Sequence, residues 1–309
     1  MKISELGGEF ALIERIARPA RNPAIVRGIG DDCAAESLGG KIRLYTVDML
    51  VENDHFSLDY FTPYQIGWKA MVSNVSDIAS CGGRVLYALV SIALTERADV
   101  EFVDGFYKAV YDAADRWNFD VIGGDTTHGK LMSISVTLVG EAEPADVRYR
   151  NTAKPGDLVA VSGALGGSTA GLRLLLKKVS GFEPVKKFHV EPQCAMDELP
   201  KILPVSRAMA DVSDGLASEA RNIARESGVR INISKNSIPL CAGIRESAQL
   251  LGDDPYDYAL FGGEDFQLVY TVPKGCTPYG TVVGEVVEGE GVCLDGKKLT
   301  RFGYDHFAG

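Results

Sequence analysis

Residues 63–94 read PYQIGWKAMVSNVSDIASCGGRVLYALVSIAL. Ile66, Ala70, Met71, Val75, Ile78 and Ala79 recur at helical spacing, and Cys81-Gly82-Gly83 supplies a stop, so Pro63 to Ser80 is predicted as a helix. The apolar run Leu86 to Leu94 then reads as a strand. A helix feeding a strand is the unit of an α/β or α+β fold, and the first half of the chain repeats it. Strands are expected at Ile42 to Val47, ending at Asp48, at Val121-Ile122 before Gly123-Gly124-Asp125, and at Met132 to Val139. A second helix is expected over Val100 to Trp117. Residues 141–156, EAEPADVRYRNTAKPG, are polar and proline-bearing and mark a boundary, giving two domains, 1–147 and 148–309. The second half reads as another α/β unit. Its strands are Leu158 to Ser162, Arg230 to Ile233, Phe266 to Val272 and one near Gly280 to Val287. Its helices follow the turn Gly163–Ser168, running to about Val179, and span Ser213 to Ser227.

Composition bounds the function. A chain of 309 residues with 46% hydrophobic and 24% charged residues buries full cores and suits two ordinary domains. Lys plus Arg is 32 and Asp plus Glu is 42, a net charge of 32 − 42 = −10. Nucleic acid and anionic membrane surfaces both attract basic patches, so neither is an expected partner. No apolar run approaches the roughly 18 residues of a membrane span. The opening stretch reads as a short amphipathic helix rather than a secretory signal. Cys33, Cys81, Cys194, Cys241, Cys276 and Cys293 form no CxxC pair, which fits free thiols in a reducing cytoplasm.

The chemistry concentrates where apolar runs end in glycine and acid. The segments are Gly28-Ile29-Gly30-Asp31-Asp32, Thr46-Val47-Asp48, Asn74-Val75-Ser76-Asp77, Gly123-Gly124-Asp125-Thr126-Thr127, Asp211-Val212-Ser213-Asp214-Gly215 and Gly262-Gly263-Glu264-Asp265. One such acid is ordinarily a helix cap or an Asx-turn. Several brought together would repel, and hard cations such as Mg²⁺ would remove that cost. Ser73, Asn74 and Asp77 share one face of their helix, either solvated or ligand-bearing. Asp211 and Asp214 read as a cap or as ligands at a helix N-terminus. The Gly163–Ser168 turn is a phosphate nest or a plain strand-to-helix turn. No P-loop, dinucleotide fingerprint, kinase motif set or GxSxG elbow occurs. His55, His128, His189 and His306 show no zinc spacing. Tyr107, Tyr111 and Trp117 are candidates to stack on an adenine or to pack in the helix core.

The motifs GEFALIERI, GIGDDCA, VDMLVENDHF, KAMVSNVSDIASCGG, IGGDTTHG, AKPGDLVAVSGALGGSTAGL, DVSDGLASE, GGEDFQLVYT and terminal GYDHF run along nearly the whole chain. In these the sequence resembles the thiamine-monophosphate kinases. They belong to an ATP-binding superfamily that includes aminoimidazole ribonucleotide synthetase, selenophosphate synthetase and a hydrogenase-maturation dehydratase. GIGDD is shared across the superfamily, whereas GGDTT with GGED and GYDHF is specific to the thiamine-phosphate branch.

The resemblance implies a homodimer in which each N-terminal mixed sheet contributes to a shared barrel, with a C-terminal α/β domain alongside. It implies Mg²⁺-assisted, in-line transfer of a phosphoryl group from ATP to thiamine monophosphate, giving thiamine diphosphate and ADP. It places metal ligands at Asp32, Thr46, Val47 (through its backbone oxygen), Asp48, Asp77, Asp125, Asp211 and Asp214. Gly124, Asp125, Arg150 and Ser213 fall at ATP positions, and His55, Glu264 and Tyr304 face the thiamine phosphate. The attacking phosphate oxygen is already anionic, so no obligatory base or nucleophile is expected. The sequence departs from its relatives at Val47, at Asn53-Asp54 and at Glu191, where Thr, a Gly-bearing pair and Arg are common. A sister synthetase, a two-metal phosphohydrolase and a non-catalytic nucleotide-binding dimer are the rival readings.

Overall fold

A computed structural model of the chain describes residues 3–304, 306 and 307; Asp305 of the GYDHF motif lies outside them. Two short helices, α1 (Ile3–Leu6) and α2 (Glu9–Ile16), precede a six-stranded sheet. Its strands are β1 (Ile25–Arg27), β2 (Ala34–Leu38), β3 (Lys41–Val51), β4 (Arg84–Leu94), β5 (Asp120–His128) and β6 (Ser133–Ala142), in the order β1-β2-β3-β6-β4-β5. All pairs are antiparallel except β4 with β5. Between them run α3 (Pro63–Ser80) and α4 (Val100–Trp117), with the bounds expected from sequence. Thr62 and Gln65 form a reciprocal capping box at the start of α3, and Asp99 caps α4 through the Phe102 amide.

Alternation in β6 turns Ile134, Val136 and Leu138 inward to full burial. Together with α3 and α4 they form the larger core. Among the described residues, no helix lies on the opposite face of this sheet. Val47, Met49, Tyr87, Leu89 and Ile122 stand exposed there. Within one chain the sheet is open, with β5 at its edge.

The second sheet comprises β7 (Leu158–Val161), β8 (Met209–Asp211), β9 (Arg230–Ile233), β10 (Leu268–Val272), β11 (Thr281–Val287), β12 (Gly291–Leu294) and β13 (Lys297–Lys298), in the order β13-β12-β9-β11-β7-β10-β8. The helices of this half are α5 (Gly167–Leu176), α6 (Glu183–Val190), α7 (Leu199–Ile202), α8 (Leu216–Ser227), α9 (Ile244–Leu251) and α10 (Pro255–Phe261). Edge strand β8 lies against α3. The helix that carries Asp77 therefore sits between the two sheets.

Three boundaries differ from expectation, and each moves a site residue. Strand β3 continues through Asp48 to Val51, because it stays paired with β6 along its whole length. Strand β5 continues through Gly123-Gly124 to His128, because β4 pairs alongside it as far as Leu94. Helix α8 begins at Leu216 rather than Ser213, because Gly215 sits at φ +100, outside the helical region. Asp211 thus ends a strand, and Asp214 lies in the turn. Four strands were expected in the first half, and six form. The short β1 and the acid-bearing β2 escaped notice. No helix among the described residues is long and apolar enough to cross a membrane.

The two long helices cross closely at Gly67, where an added Cβ would lie 2.4 Å from the Phe106 carbonyl oxygen. Gly67→Val should destabilise the chain by roughly 1–3 kcal/mol through overpacking. Chemical denaturation checks this, and an unchanged midpoint would show that the crossing has slack.

Candidate active site

A cavity of about 560 Å³ opens along the seam between the sheets. Its lining holds two groups of residues. Asp48, Asp77, Asp211 and Asp214 form an acidic end, and His55, Lys69, His189, Glu264 and Tyr304 form the other; the two abut where the Tyr304 amide donates to the Asp214 carbonyl oxygen at 3.3 Å.

At the acidic end, Asp32, Asp77 and Asp211 each present a carboxylate oxygen within 4.8 Å of the others. Elements far apart in sequence hold them. Asp32 lies in the loop after β1 and accepts from the Ser80 hydroxyl at 2.6 Å. Asp77, on α3, accepts from the Thr46 hydroxyl of β3. Asp211, at the end of β8, accepts from Ser76 of α3 at 2.8 Å. The face of α3 bearing Ser73, Asn74 and Asp77 is therefore buried, not solvated, and the Asn74 side chain accepts from the Asp48 amide at 3.0 Å.

This clustering is electrostatically costly. Burial, then the neighbouring charges of Asp48, Asp211 and Asp32, pushes the Asp77 carboxyl well above its ordinary range. Burial, then Asp32 and Glu219, does the same to Asp211. Asp48 is raised chiefly by burial, and Asp214 is pushed up to about 8 by burial and Glu219. One guanidinium, that of Arg150, pairs with Asp32 and with Glu219 at 3.3 Å. Asp211 Oδ1 is buried with no hydrogen-bond partner. A buried carboxylate oxygen left unpaired beside two further carboxylates is a donor set suited to a hard divalent cation.

Of the other expected residues, Thr46 is buried against Asp77, and Val47, Ser213 and His55 line the cavity. Val47 projects its side chain outward from the sheet. Gly124 and Asp125 do not join the carboxylate cluster. They stand on edge strand β5, three strand spacings from β3, roughly 14 Å. Asp125 does share the outward row of Met49, Ser135 and Ser91, and Met49 lines the cavity.

The Gly163–Ser168 turn is not an open nest. The Asp265 carboxylate already accepts from the amides of Gly166 at 2.6 Å and Ser168 at 3.2 Å. Trp117 stacks on Trp68 at 5.7 Å and donates to Asp197, a packing role. Glu191 pairs with Gln65 and Lys187.

At the other end, His55 Nδ1 accepts from the Val51 amide at 3.1 Å, and burial lowers the ring's pKa. Tyr304 donates to Asp54 at 3.1 Å. Sequence reading missed Glu219, Lys69 and His189. Glu219 sits inside the quoted DVSDGLASE motif, four residues past Gly215, where a helix acid looks solvent-facing; it is 1% exposed.

A family model for the N-terminal domain of AIR synthase related proteins matches residues 30–142. The thiamine-monophosphate kinase of Aquifex aeolicus is 40% identical over 316 residues, covering 99% of this chain and 100% of the relative. The chain belongs to the thiamine-monophosphate kinase family. The Bacillus subtilis thiamine-monophosphate kinase is 38% identical, covering 85% of this chain and 83% of its own. A solved structure of AaThiL complexed with AMPPCP and TMP shares the kinase-family fold at TM-score 0.91 and 39% identity, covering 99% of both chains. The hydrogenase-maturation protein HypE of E. coli shares the fold at 22% identity and TM-score 0.69, covering 97% of this chain and 95% of its own.

The raised carboxyls fix a sign for the metal-free protein. They hold protons that the unfolded chain releases near pH 4, so folding takes up protons. Their contribution to stability is full below about pH 4 and is lost as pH rises, for Asp214 through about 8. The chelated protein should therefore lose stability between mildly acidic and mildly alkaline pH. Asp214→Asn should flatten that slope in denaturant titrations. Equal slopes for the two proteins would contradict the buried-acid assignment.

Proposed function

We infer that this chain transfers the γ-phosphoryl group of ATP to the phosphate of thiamine monophosphate, giving thiamine diphosphate and ADP. The observation that carries this reading is the cavity lined by both groups, in a chain that matches a thiamine-monophosphate kinase along that relative's full length. Phosphoryl transfer asks for in-line positioning and charge neutralisation, and little covalent help. The acidic end fits the polyphosphate with its counter-cations, and the end bearing Glu264, His55 and Tyr304 fits a cationic, aromatic acceptor.

Mg²⁺ is the cation we propose, held by Asp32, Asp77 and Asp211 with Asp48, Asp214, the Thr46 hydroxyl and the Val47 carbonyl around them. Bound there, it would neutralise charge on the transferring group. In this reading Arg150 and Ser213 contact nucleotide phosphates, Arg150 once it leaves Asp32. Asp125, in the outward row of β5, and its neighbour Gly124 extend the nucleotide contacts along that strand. His55, its Nδ1 occupied by the Val51 amide, orients the acceptor and abstracts no proton. The acceptor phosphate needs none removed.

We also propose a homodimer through the exposed face of the first sheet, and domains meeting near residue 147. The strand register puts Val47, Thr137, Leu89 and Gly123 in one outward row. An apolar sheet face this broad is normally covered. A cytoplasmic setting accords with six free cysteines. Leu89→Glu with Tyr87→Glu should convert a dimer to a monomer in light scattering, and a dimer persisting in that variant would place the interface elsewhere.

The direct test is a product assay with Mg-ATP and thiamine monophosphate. Thiamine diphosphate and ADP should form one to one, with neither formed without acceptor. Free phosphate without acceptor would favour a hydrolase, and bound ATP without transfer a sister synthetase. Asp48→Asn should lower turnover by a factor on the order of 10²–10³, as for loss of a charge-stabilising group. Turnover near that of the unaltered enzyme would remove Asp48 from the ligand set.

A further inference from the structure

Lys69 lies in the middle of α3 and is 1% exposed, an unusual place for an ammonium. Its Nζ is 2.6 Å from Glu264 Oε1 and donates to the His55 carbonyl oxygen at 2.7 Å. The same ammonium stands 5.4 Å over the Phe61 ring. One buried charge thus ties the helix of the acidic end to two of the three segments that carry the acceptor-facing residues, those of His55 and Glu264. His189 completes the clamp from α6. Its Nδ1 is 3.3 Å from Glu264 Oε2 and 3.0 Å from the Ser168 hydroxyl.

Glu264 needs such restraint. Its backbone is at φ +62, a region that side chains other than glycine seldom occupy. The turn is held by the Glu264 amide donating to the Ser213 carbonyl at 2.7 Å. Non-glycine residues in this region persist where surrounding contacts over-determine them, and such sites gather at ligand clamps. The carboxylate is aimed into the cavity and gripped on both oxygens.

We propose that Lys69 is a positioning residue for the phosphate acceptor, fixing the Glu264 carboxylate and the His55 segment in one geometry before the acceptor arrives. The inference rests on the thiamine-monophosphate kinase reading. Glu264 is then not a free anion drawing a cationic ring by net charge. It is half of a neutral pair whose remaining lone pairs are preset acceptors, and the ordering is complete before binding.

The test compares Lys69→Met, Glu264→Gln and the double variant with the unaltered enzyme, all at saturating ATP and then at saturating acceptor. Lys69→Met should raise KM for thiamine monophosphate about tenfold or more, the scale of one lost charge-assisted contact. KM for ATP should change less than about twofold, and kcat at saturating acceptor should be largely kept. Breaking one side of a buried pair can unfold a protein, whereas removing both sides is tolerated better. The double variant therefore keeps the test open. It should melt close to the unaltered protein and show an acceptor KM close to that of the worse single variant, because Lys69 acts through Glu264. A folded Lys69→Met with unchanged acceptor KM would overturn the proposal, as would independent, multiplying effects of the two changes. A loss confined to kcat or to melting temperature would make Lys69 merely structural. Absence of transfer by the unaltered enzyme would instead overturn the kinase reading, and this proposal with it.

Discussion

Three carboxylates held within 4.8 Å of one another, with one guanidinium beside them, are the constraint around which this molecule is arranged. Two like charges at that separation repel by about 3.5 kcal/mol even at an effective dielectric of about 20. Left to itself, the chain would avoid such an arrangement. Its architecture enforces it. Helix α3 lies on the first sheet, receives Thr46 from β3 on Asp77, and reaches through Ser76 to Asp211 on the edge of the second sheet. The loop after β1 adds Asp32, tied back to the end of the same helix through Ser80. Remove α3 and no two of these acids share a support.

The two ends of the cavity handle charge differently. Burial pushes the Glu264 carboxyl up, but Lys69 and His189 together outweigh it and hold the group well below the ordinary range. Asp265 beside it is satisfied by amides at the start of α5. Among the described residues, Asp77 and Asp211 accept from single hydroxyls, of Thr46 and Ser76, and one oxygen of Asp211 has no partner. The Glu264 end is therefore ordered within the fold itself. The acidic end is left with charge that the proposed cation would offset. Such a division suits an enzyme that must neutralise a polyphosphate transiently while recognising a rigid aromatic acceptor.

Helices α3 and α4 were legible from sequence to the residue because local chemistry ends them: Thr62-Pro63 and Cys81-Gly82-Gly83 for one, Asp99 and Asn118 for the other. The strands were less so. Asp48 and Gly123-Gly124 look like terminators locally, yet long-range pairing carries β3 and β5 straight through them. The acid-bearing segments could be picked out one by one. Their convergence could not, since Asp32 lies in a loop of the first sheet and Asp211 ends a strand of the second. Lys69 and Glu219 were invisible for a related reason. A charged residue on a helix is ordinarily solvated, and only the tertiary contact with Glu264 or Arg150 shows otherwise. The Gly163–Ser168 turn failed in the opposite sense: its amides are already claimed by an acid about a hundred residues away.

We propose that the buried acids form a cation site and are not a structural accident. Crystals grown with Mn²⁺ and a non-hydrolysable ATP analogue test it through anomalous scattering. The expected result is metal density within coordination distance of Asp32, Asp77 and Asp211, with Arg150 displaced from Asp32 toward the phosphates. Nucleotide bound with no anomalous peak between those carboxylates, and Arg150 still seated on Asp32, would contradict the account.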